Sequence, residues 1–457
     1  MGFVLSVLYL VTYYLTPTAI FGPLAPFRIE LILAVLVFLV SLPALLKSFL
    51  GKTPQTIAVI GLAIASFMSV LVGRRWFGGA VDAFLAFIPN AFAYFLVCLH
   101  CNSKRKLQVL VLMLLFVCLF IIGRGYVDLL RGVPQSGGSV SGETPSPYFM
   151  AEHSNNGDMI YRLRGLGEIN DPNDFAQLIV CVLPLMLIFW RAKRFFVNLL
   201  LVIVPSGILI FGAFLTHSRG SIIALLAILV VAARRKIGTI PSLVVAALLF
   251  VGASLVNFSG GRDISAGAGA DRTNLWGQGI QLLREHPLFG VGFGSMPEFT
   301  DGHLTAHNSI IVCAAELGFF GLYFWSLFLL PSIIDSVRLA SPENVSEGQP
   351  IEVEQSLFPA AAKAPRTLDK AEVNRLGLLV LLSLTGFLVA GWFLSRAYAL
   401  TLFLLGGMAE VVFDMALRRK MVLPRVSAGK MFAYAAGLAI ALVPLMYVAV
   451  LILNRLH

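Results

Sequence analysis

His307 and Asn308 precede the apolar run SIIVCAAELGFFGLYFW, which reads as a membrane-crossing helix with a polar pair at its mouth. An imidazole there can accept a proton from a hydroxyl nucleophile or hydrogen-bond an oxyanion; a helix-capping pair is the plainer alternative. Two arginines weigh toward chemistry. Arg219, in FLTHSRGSIIALLAILVVAARRK, is separated from Arg234-Arg235-Lys236 by an apolar run of about fifteen residues, roughly 22 Å of helix and too short to cross the hydrocarbon. With that basic cluster at the inner surface, Arg219 lies below the outer surface or in a cavity open to it, a costly placement that points to function unless the side chain snorkels to headgroups. Ser218 stands where it can cap the same helix, whose free N–H groups would face an anion held by the guanidinium. Arg272, Trp276, Ile280 and Leu283 recur at helical spacing and predict a short amphipathic outer helix with a second guanidinium near its start.

Other constellations are less specific. In YRLRGLGEINDPNDFAQLIVCVLP, Asp171-Pro172-Asn173 reads as a turn before a new span, Asp174 as its cap, and Arg162 and Arg164 as cations approaching that boundary. Asp158, Glu168, Asp171 and Asp174 offer oxygen ligands for a divalent cation, but in no pattern that requires one. Gly290, Gly292 and Gly294 form GxGxG without a preceding strand, which suits a tight turn letting backbone approach a ligand better than a nucleotide fold. Gly318 and Gly321 lie near one face of the His-Asn helix and predict close packing of another helix beneath the histidine. Cys98, His100 and Cys101 resemble half a zinc site with no second half, and are read as helix-end packing.

The elements that must position these groups are membrane spans. The chain is 58% hydrophobic and only 13% charged, outside the range of soluble domains, so an all-α polytopic membrane protein with about 12–13 transmembrane helices is expected. The formal charge of +10 falls in short clusters between apolar runs rather than on one soluble face, which membrane topology explains better than nucleic-acid binding. Residues 1–123 carry the N-terminal spans, 124–174 a first outer loop that is irregular from Gly137 to Asp158, and 175–256 the central spans. A second outer loop with the amphipathic helix covers 257–307, the His-Asn helix 308–334, an inner disordered insertion 335–374, and the last spans 375–457. Under the positive-inside rule every lysine falls on the cytoplasmic side, while the outer side carries arginine alone, the better fork for oxyanions. Five cysteines in or beside apolar segments imply no disulfide framework.

Four segments taken together, RLRGLGEINDPNDFA, THSRG, DRTNLWGQGIQLLREHPLFGVGFG and the His-Asn pair followed after nine residues by GFFG, resemble the bacterial O-antigen ligase and polysaccharide polymerase family. The resemblance spans roughly Arg162 to Trp325. It implies a membrane glycosyltransferase of the C-type fold in the bacterial inner membrane. Such an enzyme moves a glycan from undecaprenyl pyrophosphate to an acceptor hydroxyl at the periplasmic face, with inversion and without metal or other cofactor. It further implies His307 as the catalytic group, Arg219 and Arg272 as pyrophosphate ligands, and Arg164, Asn173, Asn308 and Ser218 as supporting residues. The implied partners are the lipid-linked glycan donor, a glycan or lipid acceptor, membrane lipids, and chain-length or export components of a polysaccharide assembly system. Arg272 and His307 are close in sequence, where a lipopolysaccharide ligase is expected to carry a larger outer domain, so the reading leans toward a polymerase. A transporter or flippase of lipid-linked saccharides is the alternative. It calls for broken helices and polar groups at mid-membrane, whereas no inverted repeat is evident and the deep acids are Asp82, Glu316, Glu410 and Asp414.

Overall fold

The computed structural model describes residues 1–48, 53–132, 146–153, 159–255, 266–348 and 368–456. In chain order the elements are α1 (Gly2–Leu15), α2 (Ile29–Lys47), α3 (Pro54–Gly73), α4 (Phe77–His100) and α5 (Lys104–Leu130), then the strands β1 (Phe149–His153) and β2 (Met159–Leu163). They continue with α6 (Pro172–Leu185), α7 (Val204–Leu215), α8 (Arg219–Ile237), α9 (Thr239–Leu255), α10 (Ala266–Glu285), α11 (Ser309–Ala340), α12 (Lys370–Gly391), α13 (Leu400–Leu417) and α14 (Ala428–Leu456). Among the described residues, ten helical segments are long and apolar enough to cross a membrane, so the chain is an all-α multi-pass membrane protein.

Ten among the described residues is fewer than the twelve to thirteen the hydropathy suggests, and two of the differences have a local cause. The first apolar run stops at Leu15, because Thr16 is left-handed (φ 41°) and Pro17 starts a separate turn. Helix α8 carries Arg219 at one end and Arg234, Arg235 and Lys236 at the other, which leaves too little apolar length between them. Helix α9, described over Thr239–Leu255, packs against α8 beyond a turn at Gly238. The first outer loop, expected to be irregular over Gly137–Asp158, instead contains the antiparallel β1–β2 hairpin, with Phe149 opposite Leu163 and Met150 opposite Arg162. Residues 137–145 and 154–158 of that loop, and 349–367 of the expected inner insertion, lie outside the described residues.

The chain forms two compact units. The first comprises Met1–Pro43, His100–Asp263 and Leu379–Ala390. Its centre is α6, in which every residue from Asp174 to Val182 is buried, as befits a helix apolar on all sides. The polar groups that enter this centre are paired: Gln177 Nε2 donates to Phe387 O at 3.0 Å, and Ser383 Oγ donates to Cys181 O at 2.8 Å. His100 is met by Ser41 Oγ at 2.8 Å from Nε2, which accounts for the histidine of the apparent half zinc site.

The second unit comprises Ala44–Leu99, Ile264–Leu378 and Gly391–His457. Its spine is α11, which packs against α3, α10, α13 and α14. Tyr94, Phe328, Phe403 and Phe87 interlock edge-on or tilted in its core, with ring centroids 5.0–5.7 Å apart. The spine is interrupted once, at Gly318, where φ 64° and ψ −164° lie outside any helix. That break organises the site.

Candidate active site

The His-Asn motif is fastened from two sides. Asn308, fully buried, accepts from the N–H groups of Ile310 (3.0 Å) and Ile311 (3.2 Å) and so caps α11, while its Nδ2 donates to Trp392 O at 3.2 Å. Capping is therefore its observed role. His307 is half-buried and left-handed at φ 49°, and its N–H donates to Ser395 Oγ at 2.9 Å. Ser395 in turn donates to Thr305 Oγ1 at 2.5 Å. One residue beyond Asn308, Ser309 Oγ donates to Leu394 O (2.8 Å) and accepts from Arg396 N–H (3.1 Å). The segment Trp392–Arg396, between α12 and α13, thus runs along the motif.

On the other side stands α10. Trp276 Nε1 donates to Ala306 O at 2.8 Å, and its ring meets Trp392 edge-on at 5.7 Å. The helix buries Leu275, Trp276, Leu282 and Leu283, so the predicted amphipathic helix is present with Arg272 exposed one turn before the tryptophan that touches the residue preceding His307.

Beneath the motif, the break in α11 is filled by the loop that follows α10. In an uninterrupted helix Phe319 N–H would bond Ala315 O, and Phe320 N–H would bond Glu316 O. Here Ala315 O accepts from Val291 N–H (3.0 Å), Glu316 O accepts from Gly292 N–H (3.1 Å), Phe319 N–H donates to Pro287 O (2.8 Å) and Phe320 N–H donates to Leu288 O (3.1 Å). All four groups freed by the break find partners. The approach is so close that a Cβ on Gly290 would lie 2.3 Å from the Glu316 carbonyl carbon, and one on Gly318 would lie 2.5 Å from that of Leu288. These contacts correct two sequence expectations. The glycine loop brings backbone to α11 rather than to a ligand, and Gly318 admits that loop rather than another helix. Gly321 faces Leu317 of its own helix.

The loop is tied down further along. Phe293 N–H donates to Ser69 Oγ (3.0 Å), Met296 N–H reaches Glu316 Oε1 (3.4 Å), and Gln278 and Asp301 exchange two bonds. Arg74 forks onto Glu298, with Nη1 3.0 Å from Oε1, and lies over Phe299. The bond from Arg74 and its charge hold the Glu298 carboxyl below the usual glutamate range.

The remaining candidates belong to the first unit, and there the organising cation is Arg162. It is 2% exposed and makes three bonds: Nε to Thr216 O (2.9 Å), Nη1 to Glu152 (2.8 Å) and Nη2 to Asn173 Oδ1 (2.8 Å). It joins β1, β2, the start of α6 and the turn before α8. Arg164, favoured from sequence, instead donates through Nε to Pro147 O at 3.1 Å. Asn173 serves as the partner of Arg162, and Asp171 rather than Asp174 caps α6, accepting Asn173 N–H at 2.7 Å. Ser218 occupies the N-cap position of α8, but its side chain makes no capping bond; its N–H donates to Thr216 Oγ1 at 3.3 Å. Arg219, half-buried, begins α8 directly after that turn. Of the four acids considered for a cation, Asp158 lies outside the described residues, and among the described residues no three His, Cys, Asp or Glu side chains are grouped to hold a metal ion.

Residues 204–326 match the family model described as O-antigen ligase. Over this stretch, about a quarter of its length, the chain is similar to the O-antigen ligase family. The stretch contains Ser218, Arg219, Arg272, His307 and Asn308, and leaves Arg164 and Asn173 before its start. The search of curated proteins finds no match. Within the matched residues, Trp276 is a structural strap missed in the sequence, where its spacing identified only a buried helix face. Beyond them, Trp392 and Ser395 were missed as well; their sole signal is a short polar interruption, SRAY, between two apolar spans.

Proposed function

We propose that the chain is a membrane glycosyltransferase that moves a glycan from an undecaprenyl-pyrophosphate donor to an acceptor hydroxyl at the periplasmic face. We further propose that it acts in cell-surface polysaccharide synthesis as a polymerase rather than a lipopolysaccharide ligase. One observation carries the reading: within the residues similar to the O-antigen ligase family, His307 is held at a helix mouth beside the tryptophan strap of α10, and Arg272 stands one turn along that helix. In the proposed reaction the His307 imidazole takes the proton of the acceptor hydroxyl as its oxygen attacks the anomeric carbon from the face opposite the leaving group. The bond between that carbon and the phosphate oxygen breaks, and its electron pair leaves with the diphosphate. Arg272 and Arg219 are the guanidiniums proposed to meet the charge developing there; each can hold a phosphate with two parallel hydrogen bonds while keeping its charge. A polyprenyl donor requires such a site at a membrane boundary, where the chain remains in lipid while its diphosphate reaches the arginines.

The break in α11 is the one feature that favours a transporter, since discontinuous helices often frame substrate sites in carriers. Its four freed backbone groups are all bonded to the loop 287–292, so none is left for a substrate. That arrangement favours the transferase.

Purified protein given a defined undecaprenyl-pyrophosphate glycan and acceptor is expected to form product in the presence of a chelator. His307→Ala should abolish turnover while keeping the melting profile. Doubled repeats in the product's mass identify a polymerase, and a capped lipid core identifies a ligase. Full turnover by His307→Ala, or movement of the donor across vesicles without bond formation, would end this reading.

A further inference from the structure

We infer that Ser395 is a positioning residue for His307, a role that rests on the catalytic reading above. A left-handed histidine is an uncommon conformation for a residue with a Cβ, and it persists only where its surroundings over-determine it. Ser395 supplies that determination. Its hydroxyl accepts the His307 N–H at 2.9 Å and donates to Thr305 Oγ1 at 2.5 Å, bridging both arms of the turn that delivers the imidazole. The serine is itself fixed, because the residues on either side of it, Leu394 and Arg396, are bonded through their backbones to Ser309 Oγ. Ala397 O, two residues on, accepts from Trp325 Nε1 at 2.9 Å.

The direction in which the imidazole leaves the chain is set by the His307 backbone, and the Ser395 hydroxyl fixes that backbone against α11. A general base displaced by about 1 Å loses rate on the order of a hundredfold, so the hydroxyl governs turnover without touching substrate. Binding of donor, assigned to the arginines, does not depend on it.

The test is Ser395→Ala in the full chain, assayed with the lipid-linked donor and acceptor, with Ser395→Thr and His307→Ala beside it. The expected result for Ser395→Ala is a kcat lower by tenfold or more with KM within about twofold, and a displaced acid limb of the pH–rate profile. Ser395→Thr, which keeps the hydroxyl, should recover most of the rate, and Ser395→Ala should add nothing to His307→Ala. A serine that only closes a helix end would lower the melting temperature and leave kcat per folded molecule and the pH limb unmoved; that result overturns the inference. If His307→Ala is inactive and Ser395→Ala turns over normally, only this inference fails; if His307→Ala is fully active, the catalytic reading fails first. Should Ser395→Ala not insert into the membrane, Ser395→Cys, a weak acceptor in the same place, is expected to give the same split between kcat and KM, and its absence overturns the inference.

Discussion

Removing Arg425 should destabilise the protein more than removing any exposed arginine, and the amount follows from its surroundings. Arg425 lies between α13 and α14, at the end of α11 remote from the His-Asn motif, with its side chain 11% exposed. Its Nε is 2.7 Å from Asp335 Oδ2, and it grips Glu410 with two bonds of 3.2 and 2.8 Å; both carboxylates have no exposed side-chain surface. Its guanidinium also stacks 4.4 Å from the centroid of the Phe413 ring. Burial works against its charge, but Glu410 and Asp335 outweigh burial and raise its pKa above the ordinary arginine value. Arg425→Met leaves two buried carboxylates without their cation, a loss of about 3–5 kcal/mol. The control is Arg74→Met, whose partner Glu298 is more than half exposed, so that solvent screens the pair and little stability rests on it. Thermal melting of both variants in one detergent should show a several-fold larger shift for Arg425→Met. Adding Asp335→Asn and Glu410→Gln to it should restore much of the loss, because the stranded charges go with the arginine. Asp335 lies about 40 Å along α11 from Asn308, so the folded fraction should retain turnover. Equal shifts for Arg425→Met and Arg74→Met would refute the reasoning.

Gly318→Ala forces a Cβ into φ 64°, ψ −164° and to within 2.5 Å of the Leu288 carbonyl carbon; a loss of about 1–3 kcal/mol from backbone strain, with easier proteolysis of the loop 286–294, is expected in melting and limited-digestion assays. The Arg74–Glu298 pair should loosen in acid: its carboxyl is held below the ordinary 4.5, so its contribution is present above that value and disappears as pH falls through the lowered one. Amide protection over 296–303, corrected for intrinsic exchange, should decline in that range, and flat protection would count against the pair. All five cysteines are buried, and burial pushes the Cys101 thiol up to about 12, so a charged maleimide at pH 7.5 should label the native protein only after denaturation.

Hydropathy exposes the spans because crossing a membrane demands length and apolarity, which are properties of contiguous sequence. It fails where a single residue ends a helix: Thr16 looks helical until its φ is known. The hairpin was hidden because two five-residue strands flanked by Gly, Ser, Pro and Asn carry too little periodicity. His307 and Arg219 announce themselves as polar groups at the ends of apolar runs, whereas Ser395 lies 88 residues beyond His307 and shows only as part of a short polar interruption between two spans. Nor does sequence separate the contacts of Arg162 from those of Arg164. Both are arginines at one end of a strand, and only tertiary contact shows which one meets Thr216.

The break at Gly318 also explains why the partners of the His-Asn motif matter more than the helix that carries it. An α-helix transmits orientation through its N–H to C=O ladder, and in α11 that ladder is interrupted after Leu317. Ser309–Leu317 is therefore a segment of little more than two turns, too short to hold a direction by itself. Its bearing is set by the loop 287–292 at the lower end and by Trp276, Trp392 and Ser395 around the motif at the upper end. A substitution in the long lower half of α11 should consequently leave the imidazole in place, while one in these loops, far away in sequence, should move it.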